Sequence, residues 1–461
     1  DKYYQVCVSE FIFGGMENTT LTILTDLTLH DEKAHMDFES EPLVAHEAAH
    51  QWVGDLVTTK DWGNIWLNES FATYFQALYT RHWKGEADFI YDLIGFLDSY
   101  LREYGTRYAR PIVTRVYKYA TEVFDSHAYP KGALVLHTLK NIIGEEVFRA
   151  VIKRYLEKFK FDVADTEDFR KVVEEVTGKD FEWFFDQYIY NAGHPVLKIN
   201  HKWNPEEKTL SISIKQSQPD DSWDVYKLPI EILVITDGGK EVKKTIWITQ
   251  KQETFYISLD EKPKRVCIDP EFKVFAVLDI DQGQEQWIDQ LLNCKHTYCR
   301  ILAARALSKF KSSKVIEALK KAVIEDKFWG VSVEAANSLG KIGLSEAKQA
   351  LLDAEKHVRH PRVRRAIAAA LGNYREEEVA RTLIRILENN EDRHYVRATA
   401  AESLGTTKQS FALDVLKKAL DIPSHNYVIT NGAIRGLAEL GLDECFALIK
   451  SRVTKGNPTL V

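Results

Sequence analysis

The residues with the clearest chemical potential lie between positions 46 and 69. His46 and His50 are four positions apart, so on a helix both imidazoles project from the same face. Zinc binds histidine nitrogen at about 2.0–2.1 Å, and this spacing lets both rings reach one ion. Glu47 follows the first histidine and is suitably placed to act as a general base. The pattern predicts a hydrolytic zinc site; the alternative is two hydrogen-bonded histidines and a surface acid on ordinary helices.

A hydrolytic zinc site needs a third protein ligand and an open fourth position for water. Glu69, in the helical segment 66–72, is the best candidate. A metzincin would instead require glycine at position 53 and histidine at position 56, where the chain has Val53 and Leu56. We therefore predict that His46, His50 and Glu69 hold one Zn²⁺ per chain in a gluzincin-type site.

Several segments around this pattern carry a family resemblance. Residues 13–18 (FGGMEN) resemble the G-x-M-E-N exopeptidase motif of the aminopeptidase N family, which also includes leukotriene-hydrolysing members. Residues 46–52 (HEAAHQW) and 66–69 (WLNE) match the zinc signature of that family, and residues 128–133 (AYPKGA) resemble its Tyr-x-Lys-Gly segment. Residues 186–195 resemble the end of its catalytic domain. The resemblance covers residues 3–195 closely.

The resemblance implies a zinc-dependent aminopeptidase that removes the first residue of a peptide. In that reaction Glu47 takes a proton from the attacking water, and the phenol of Tyr129 stabilises the oxyanion. Glu17 would bind the free α-ammonium of the substrate, and the two glycines would let the substrate backbone approach closely. The implied catalytic residues are Glu47 and Tyr129, and the implied substrate-binding residues are Gly14, Gly15, Met16, Glu17 and Asn18.

Other positions permit a chemical interpretation, but each has a plainer alternative. Cys294 and Cys299 could form a metal or redox pair, although buried structural thiols are favoured because no second pair accompanies them. His127 could contact substrate, although a capping or solvated role is favoured. Gln76 stands where members of the family commonly have an acid, and its amide could accept a hydrogen bond from an imidazole.

Hydrophobic periodicity divides the chain into three parts. After a β-prone start, residues 40–195 are mostly helical in pattern, and apolar residues then alternate up to about 282. From about 283 an Ala-rich helix ending in leucine recurs every 32 or 33 residues, which is typical of an α-solenoid. We predict an α+β multidomain protein with a thermolysin-like, mostly helical zinc domain (1–195), a small antiparallel β-sandwich (196–282) and a HEAT-like α-solenoid (283–461).

Composition restricts the class of partner. The 461 residues include 61 Lys and Arg against 68 Asp and Glu, and this acidic balance disfavours nucleic-acid binding. No apolar run approaches the length of about 18 residues that a membrane helix needs. Five cysteines are too few for a disulfide framework in a chain of this length, which favours a reducing compartment and a cytoplasmic location.

The chain begins about a dozen residues before the FGGMEN segment, whereas members of the family carry a β-rich domain there. We therefore expect a fragment, a processed product or one piece of an assembly. The expected partners are peptides with a free N-terminus, together with a missing N-terminal domain or another protein on the helical repeats. Two alternatives remain open: a non-catalytic scaffold, and a thermolysin-like endopeptidase, which would leave Glu17 unexplained.

Overall fold

The computed structural model describes residues 2–453, which divide into two compact units. The first unit comprises the residues up to Asp26 together with Ser40–Gly283, and the second comprises Leu27–Glu39 with the residues from Gln284 onward. The predicted catalytic and sandwich parts thus share one unit, while a short segment before the first helix belongs to the repeats. The three domain boundaries given above stay predictions.

A small sheet and a set of helices form the catalytic part of the first unit. Strands β1 (Tyr4–Val8), β2 (Gly15–Met16) and β3 (Leu21–Thr25) lie in the order β1-β3-β2, so β2 is an edge strand. Strands β4 (Val57–Thr59) and β5 (Asp162–Ala164) form a separate parallel pair. The helices are α1 (Glu41–His50), α2 (Trp66–Lys84), α3 (Glu86–Thr106), α4 (Gly132–Ile143), α5 (Glu145–Phe159), α6 (Thr166–Thr177) and α7 (Glu182–Phe185).

Helix α2 lies at the centre of this part, and its first nine residues, 66–74, are all buried. Phe71 packs edge-on against Phe169 of α6 and is stacked with Tyr155 of α5. Aromatic pairs of this kind bury large areas and restrict rotation. Helix α1 contacts α2 and has Pro42 as its second residue, where a proline is tolerated because the first amides lack helical partners. The two helices that carry the predicted ligands are therefore fixed by the core.

Seven strands form two sheets in the remainder of the first unit. They are β6 (Val196–Asn204), β7 (Thr209–Gln216), β8 (Leu228–Thr236), β9 (Glu241–Ile248), β10 (Gln252–Ser258), β11 (Pro263–Ile268) and β12 (Val277–Asp281). The sheet orders are β10-β7-β6-β12 and β11-β8-β9. The alternating residues Leu210, Ile212 and Ile214 of β7 are buried, as period-two patterning predicts. The pairing of β12 with β6 is parallel, which differs from the purely antiparallel expectation.

Helices make up nearly all of the second unit. They are α8 (Gln284–Asn293), α9 (Thr297–Leu307), α10 (Ser313–Glu325), α11 (Trp329–Ile342), α12 (Ser345–His357), α13 (Pro361–Leu371), α14 (Glu377–Glu388), α15 (His394–Thr406), α16 (Ala412–Ala419), α17 (Val428–Leu440) and α18 (Asp443–Val453). The leucines of this repeat lie on α9, α11, α13, α15 and α17, and each is fully buried: Leu307, Leu339, Leu371, Leu404 and Leu437. Successive helices of this series contact each other, so the repeat predicted from sequence is the repeat that stacks.

The segment Leu27–Glu39 packs against helices of the second unit through ion pairs. Asp31 accepts a hydrogen bond from His394 at 2.9 Å, and Asp37 lies 3.1 Å from Arg365. Glu39 lies 3.0 Å from Arg362. Sequence patterning does not reveal these contacts, because the partners are more than 300 residues apart.

Two features bear on the environment of the protein. Within the part of the chain that the structure describes, no helix has both the length and the apolarity needed to cross a bilayer. All five cysteines lie among the described residues, and none of them forms a disulfide there. The cytoplasmic location stays a prediction.

Candidate metal centre and active site

Three predicted metal ligands converge at the contact between α1 and α2. The Nε2 atom of His46 lies 3.1 Å from Nε2 of His50, and each of these nitrogens lies 3.3 Å from Oε2 of Glu69. His46 and His50 lie one turn apart on α1, while Glu69 occupies the first turn of α2. All three side chains are buried. The spacing seen in the sequence thus corresponds to a real cluster of ligand atoms.

The dimensions of this cluster suit zinc. Ligand bonds of about 2.0–2.1 Å in a tetrahedral arrangement place ligand atoms about 3.3 Å apart, which is close to the three observed separations. The Nδ1 atom of His50 donates to the carbonyl oxygen of Val53 at 2.8 Å, so that Nε2 is turned toward the cluster. That carbonyl, rather than the amide of Gln76, is the hydrogen-bond partner of His50.

The electrostatics of the cluster keep the carboxylate ionised. Burial alone would raise the pKa of Glu69, but hydrogen bonds from His46 and His50 outweigh burial and lower it to about 2. Burial opposes protonation of His50 as well, yet the hydrogen bond and charge of Glu69 raise the pKa of this histidine to about 9. For His46 burial dominates and lowers the pKa. A buried anionic oxygen beside two imidazoles is a donor set that a divalent cation neutralises.

Glu47 lies directly under the edge strand β2. A Cβ atom added to Gly15 would lie 2.2 Å from Oε1 of Glu47, so only glycine leaves room for this carboxylate. Burial raises the pKa of Glu47 to about 7, and the charges of Glu17 and Glu69 act in the same direction. Gly15 therefore makes room for Glu47; that Gly14 and Gly15 also let a substrate backbone approach stays a prediction.

Tyr129 lies on the other side of the cluster, in the π-helical turn His127–Lys131 that precedes α4. Its ring stacks on His46 with centroids 6.1 Å apart and planes 12° apart. Its hydroxyl is hydrogen-bonded to Glu69, and burial together with that carboxylate raises the pKa of the phenol, which therefore keeps its proton. The structure thus brings Tyr129 to the ligand cluster.

The FGGMEN segment runs along α1, from Leu43 near the start of the helix to Gln51 just after its end. The carbonyl oxygen of Glu17 accepts a 3.3 Å hydrogen bond from Gln51, and the Glu17 charge acts on His46, Glu47 and Tyr129. Met16 pairs with Ile23 in the small sheet, and the backbone of Asn18 accepts from Leu21. Gly14 lies beside a methyl group of Leu43 at 3.3 Å, measured from an added Cβ atom.

Three further residues from the sequence analysis, His127, Cys294 and Cys299, are buried in the structure. His127 is fully buried, with Nδ1 3.2 Å from Asp125 and Nε2 accepting from the amide of Arg110, so it does not face a substrate. Cys294 and Cys299 are buried thiols. The network of Arg110 and Asp125 was missed at the sequence level, because loop residues with no periodicity give no signal of a buried ion pair.

Comparison with known proteins identifies the class of the first segment. The sequence profile described as "Peptidase family M1 domain" matches residues 1–188, and a profile of HEAT repeats matches residues 285–358 and 357–438. The fold resembles the crystal structure of Legionella pneumophila aminopeptidase A in complex with aspartic acid, with a TM-score of 0.69 at 18% identity, over 99% of this chain and 56% of that one. Residues 1–188 are thus similar to a peptidase family M1 domain, and residues 285–438 are similar to HEAT repeats.

Curated relatives agree with this assignment. A probable aminopeptidase 1 of Sulfurisphaera tokodaii is 36% identical over 208 residues, covering 43% of this chain and 26% of the relative. Tricorn protease-interacting factor F2 of Thermoplasma volcanium is 32% identical over 248 residues, covering 52% and 31%. Glutamyl aminopeptidase of Bos taurus is 28% identical over 311 residues, covering 64% and 32%. The chain spans about a third of the length of the curated relatives it matches.

Proposed function

We propose that this chain is a zinc-dependent aminopeptidase that hydrolyses the N-terminal residue from peptides. The supporting observation is the convergence of three buried ligand atoms, spaced as a tetrahedral metal site requires, beside a buried carboxyl group. The M1 domain and the names of its relatives point the same way. A non-catalytic scaffold has no physical need for such a cluster.

His46, His50 and Glu69 would hold the zinc ion. When bound, zinc polarises the scissile carbonyl and lowers the pKa of its water ligand toward neutrality. Glu47 accepts a proton from the attacking water and passes it to the departing amine, because its carboxyl group is buried beside the three ligand atoms. The protonated phenol of Tyr129 donates a hydrogen bond to the developing oxyanion.

The substrate backbone would bind along the free edge of β2. An edge strand offers unpaired backbone groups to an added peptide strand, and β2 lies directly over Glu47. The carboxylate of Glu17 would attract the free α-ammonium and so limit cleavage to the first peptide bond. Residues 14–18 are thus the proposed binding segment.

The first prediction concerns the general base. Replacing Glu47 by Gln removes the proton acceptor while keeping the shape of the side chain. We expect hydrolysis of an aminoacyl-anilide to fall by about 10³-fold or more, while metal analysis still finds about one zinc per chain. The control is Glu157→Gln on the exposed face of α5. Activity of the Glu47 variant within tenfold of the unsubstituted protein would refute the assigned role.

Paired substrates separate the proposed function from an endopeptidase. A peptide with a free N-terminus and the same peptide N-acetylated are incubated with the protein, and products are read by mass spectrometry. An aminopeptidase removes single residues from the first peptide only, whereas internal cleavage of the acetylated peptide would favour the endopeptidase.

A protein-binding role for the second unit is an additional proposal. HEAT repeats stack into extended surfaces that bind other proteins, and one relative is named for interaction with a protease. A cytoplasmic location is proposed because the five cysteines are thiols rather than disulfides.

A further inference from the structure

The turn that carries Tyr129 is an unusual element for a residue that must be placed accurately. The turn His127–Lys131 is π-helical and contains Pro130, which removes a backbone donor. A π-helical turn is a rare element and needs support from its surroundings. The position of the phenol therefore depends on the groups that hold the turn.

Asp125 holds the N-terminal side of this turn. Its Oδ1 atom accepts from the amides of His127 at 2.9 Å and Ala128 at 3.1 Å, as in an N-cap. Its Oδ2 atom accepts from the hydroxyl of Tyr108 at 2.9 Å and lies 3.2 Å from Nδ1 of His127. The backbone carbonyl of Asp125 also accepts from the amide of Tyr129 at 3.1 Å. One aspartate, whose side chain is 4% exposed, thus contacts three successive residues of the chain segment 127–129.

Arg110 in turn fixes the carboxylate of Asp125. Its guanidinium donates to both carboxylate oxygens, at 2.7 Å and 2.6 Å, which is a bidentate pair. The other guanidinium hydrogens reach the carbonyls of Pro111, Ile112 and Val123. Both partners are nearly inaccessible to solvent. The ion pair therefore has a single geometry, unlike a mobile surface pair.

The turn is also linked to the helix that bears a metal ligand. Ser70 follows Glu69 on α2, and its hydroxyl donates to the carbonyl of Ala128 at 2.6 Å. A Cβ atom on Gly132 would lie 1.8 Å from that hydroxyl, so the turn and α2 are in close contact. Tyr129 is thus located by α2 on one side and by Asp125 on the other.

We propose that Asp125, held by Arg110, is a positioning residue that fixes the Tyr129 phenol against the metal-ligand cluster. This inference rests on the proposed function, in which the phenol stabilises the oxyanion. A cap that only stabilises the fold would affect stability without a specific link to Tyr129. A positioning residue acts through Tyr129, so its effect on turnover disappears when the phenol hydroxyl is absent.

The experiment is a double-mutant cycle on aminoacyl-anilide hydrolysis. Asp125→Asn keeps the shape of the side chain but replaces one carboxylate oxygen by an NH2 group. That group then faces a donor, either the guanidinium of Arg110 or the backbone amides of the turn. We expect kcat to fall by about 10-fold to 100-fold with KM changed less than about twofold, because substrate binding is not affected. In a Tyr129→Phe background the same substitution should lower kcat by less than about twofold. Zinc content should stay near one per chain in all four proteins.

The matched control is Asp165→Asn, which removes a similar aspartate cap at the N-terminus of α6. This variant should lose thermal stability with little change in kcat. Equal losses of kcat with and without the Tyr129→Phe substitution would overturn the positioning role, as would a KM effect alone. Absence of hydrolysis by the unsubstituted protein would instead contradict the proposed function, so the two failures are distinguishable.

Two milder substitutions serve if Asp125→Asn does not fold. Arg110→Lys keeps the charge but loses the bidentate contact, and Tyr108→Phe removes one hydrogen bond to the same carboxylate. Both should lower kcat in the order Arg110→Lys more than Tyr108→Phe, and both effects should vanish in the Tyr129→Phe background. Folded variants with unchanged kcat would overturn the proposal.

Discussion

Lys131, in the turn His127–Lys131, is a buried cationic side chain that destabilises the folded state. It lies two positions after Tyr129, and its ammonium nitrogen is fully buried and has no hydrogen-bond partner among the described residues. The ring of Tyr100, 5.6 Å away, is the nearest compensating group of the cation–π kind. Burial, reinforced by the charge of Arg110, lowers the pKa of Lys131 to about 7.

The pH dependence of stability should reveal this lysine. Its pKa is lower in the folded state than in the unfolded state, where it is about 10.4, so the unfolded chain binds more protons and stability rises between pH 7 and 10. Lys131→Met removes that contribution. Between pH 7 and 9 we expect the free energy of unfolding of the variant to rise by about 2 kcal/mol less than that of the unsubstituted protein. Denaturant unfolding at both pH values measures this.

The control for this measurement is Lys153→Met on the exposed side of α5. Its pH dependence should match that of the unsubstituted protein, because its ammonium group stays in solvent in the folded state. Identical pH slopes for the two variants would show that the pKa of Lys131 is not lowered in the folded state.

At the scale of elements, the edge strand β2 and helix α1 are matched to each other. Gly15 is the point of closest approach, and the atoms that an added Cβ would meet belong to the end of the Glu47 side chain. A side-chain end can move aside, so the fold tolerates a larger residue here. Catalysis does not tolerate a displaced carboxyl group, because proton transfer needs this group within hydrogen-bond reach of water.

Gly15→Ala should therefore separate activity from stability. We expect kcat to fall by about 100-fold, since a displacement of about 1 Å at a reacting group has that effect, with the melting temperature within about 2 °C. Gly105→Ala in α3 is the control, because nothing lies within 4 Å of its added Cβ atom. A fully active Gly15→Ala variant would contradict this account of the strand.

Comparison of these elements shows what the sequence could predict. The helix that carries His46 and His50 was predictable, because the four-residue interval between them places both on one face of a single helix. The repeat leucines were predictable for the same reason, and their burial is confirmed. Two features were not predictable: the ion pair of Arg110 with Asp125, and the close contact of Gly15 with Glu47. Both depend on contacts between separate segments of the chain, which hydrophobic periodicity does not encode. The parallel pairing of β12 with β6 was missed because the alternation of apolar and polar residues is the same in parallel and antiparallel strands.

At the scale of the whole molecule, each of the two compact units has its own buried core. In the second unit, α15 and α17 pack through glycines: a Cβ atom on Gly405 would lie 1.9 Å from the carbonyl oxygen of Gly436. Backbone cannot move aside as a side-chain end can, so a methyl group here must separate the two helices. The metal-ligand cluster lies in the first unit.

Gly405→Ala should consequently destabilise the repeats without changing metal binding. We expect a loss of about 1–3 kcal/mol in the free energy of unfolding, with zinc stoichiometry unchanged. Gly95→Ala in α3 is the control, because nothing lies within 4 Å of its added Cβ atom and alanine favours helix. Thermal unfolding and metal analysis of both variants provide the test, and equal stability of the two variants would contradict the close packing.

The segment Leu27–Glu39 has a consequence for the order in which the chain matures. The ion pair of Asp31 cannot form until His394, 363 positions later, has been synthesised. Ribosomes deliver the chain from its N-terminus, and contacts between distant residues form late. The stretch leading directly into the histidine-bearing helix α1 is therefore among the last to acquire its native neighbours, so a nascent chain stalled before α15 would still lack that anchorage.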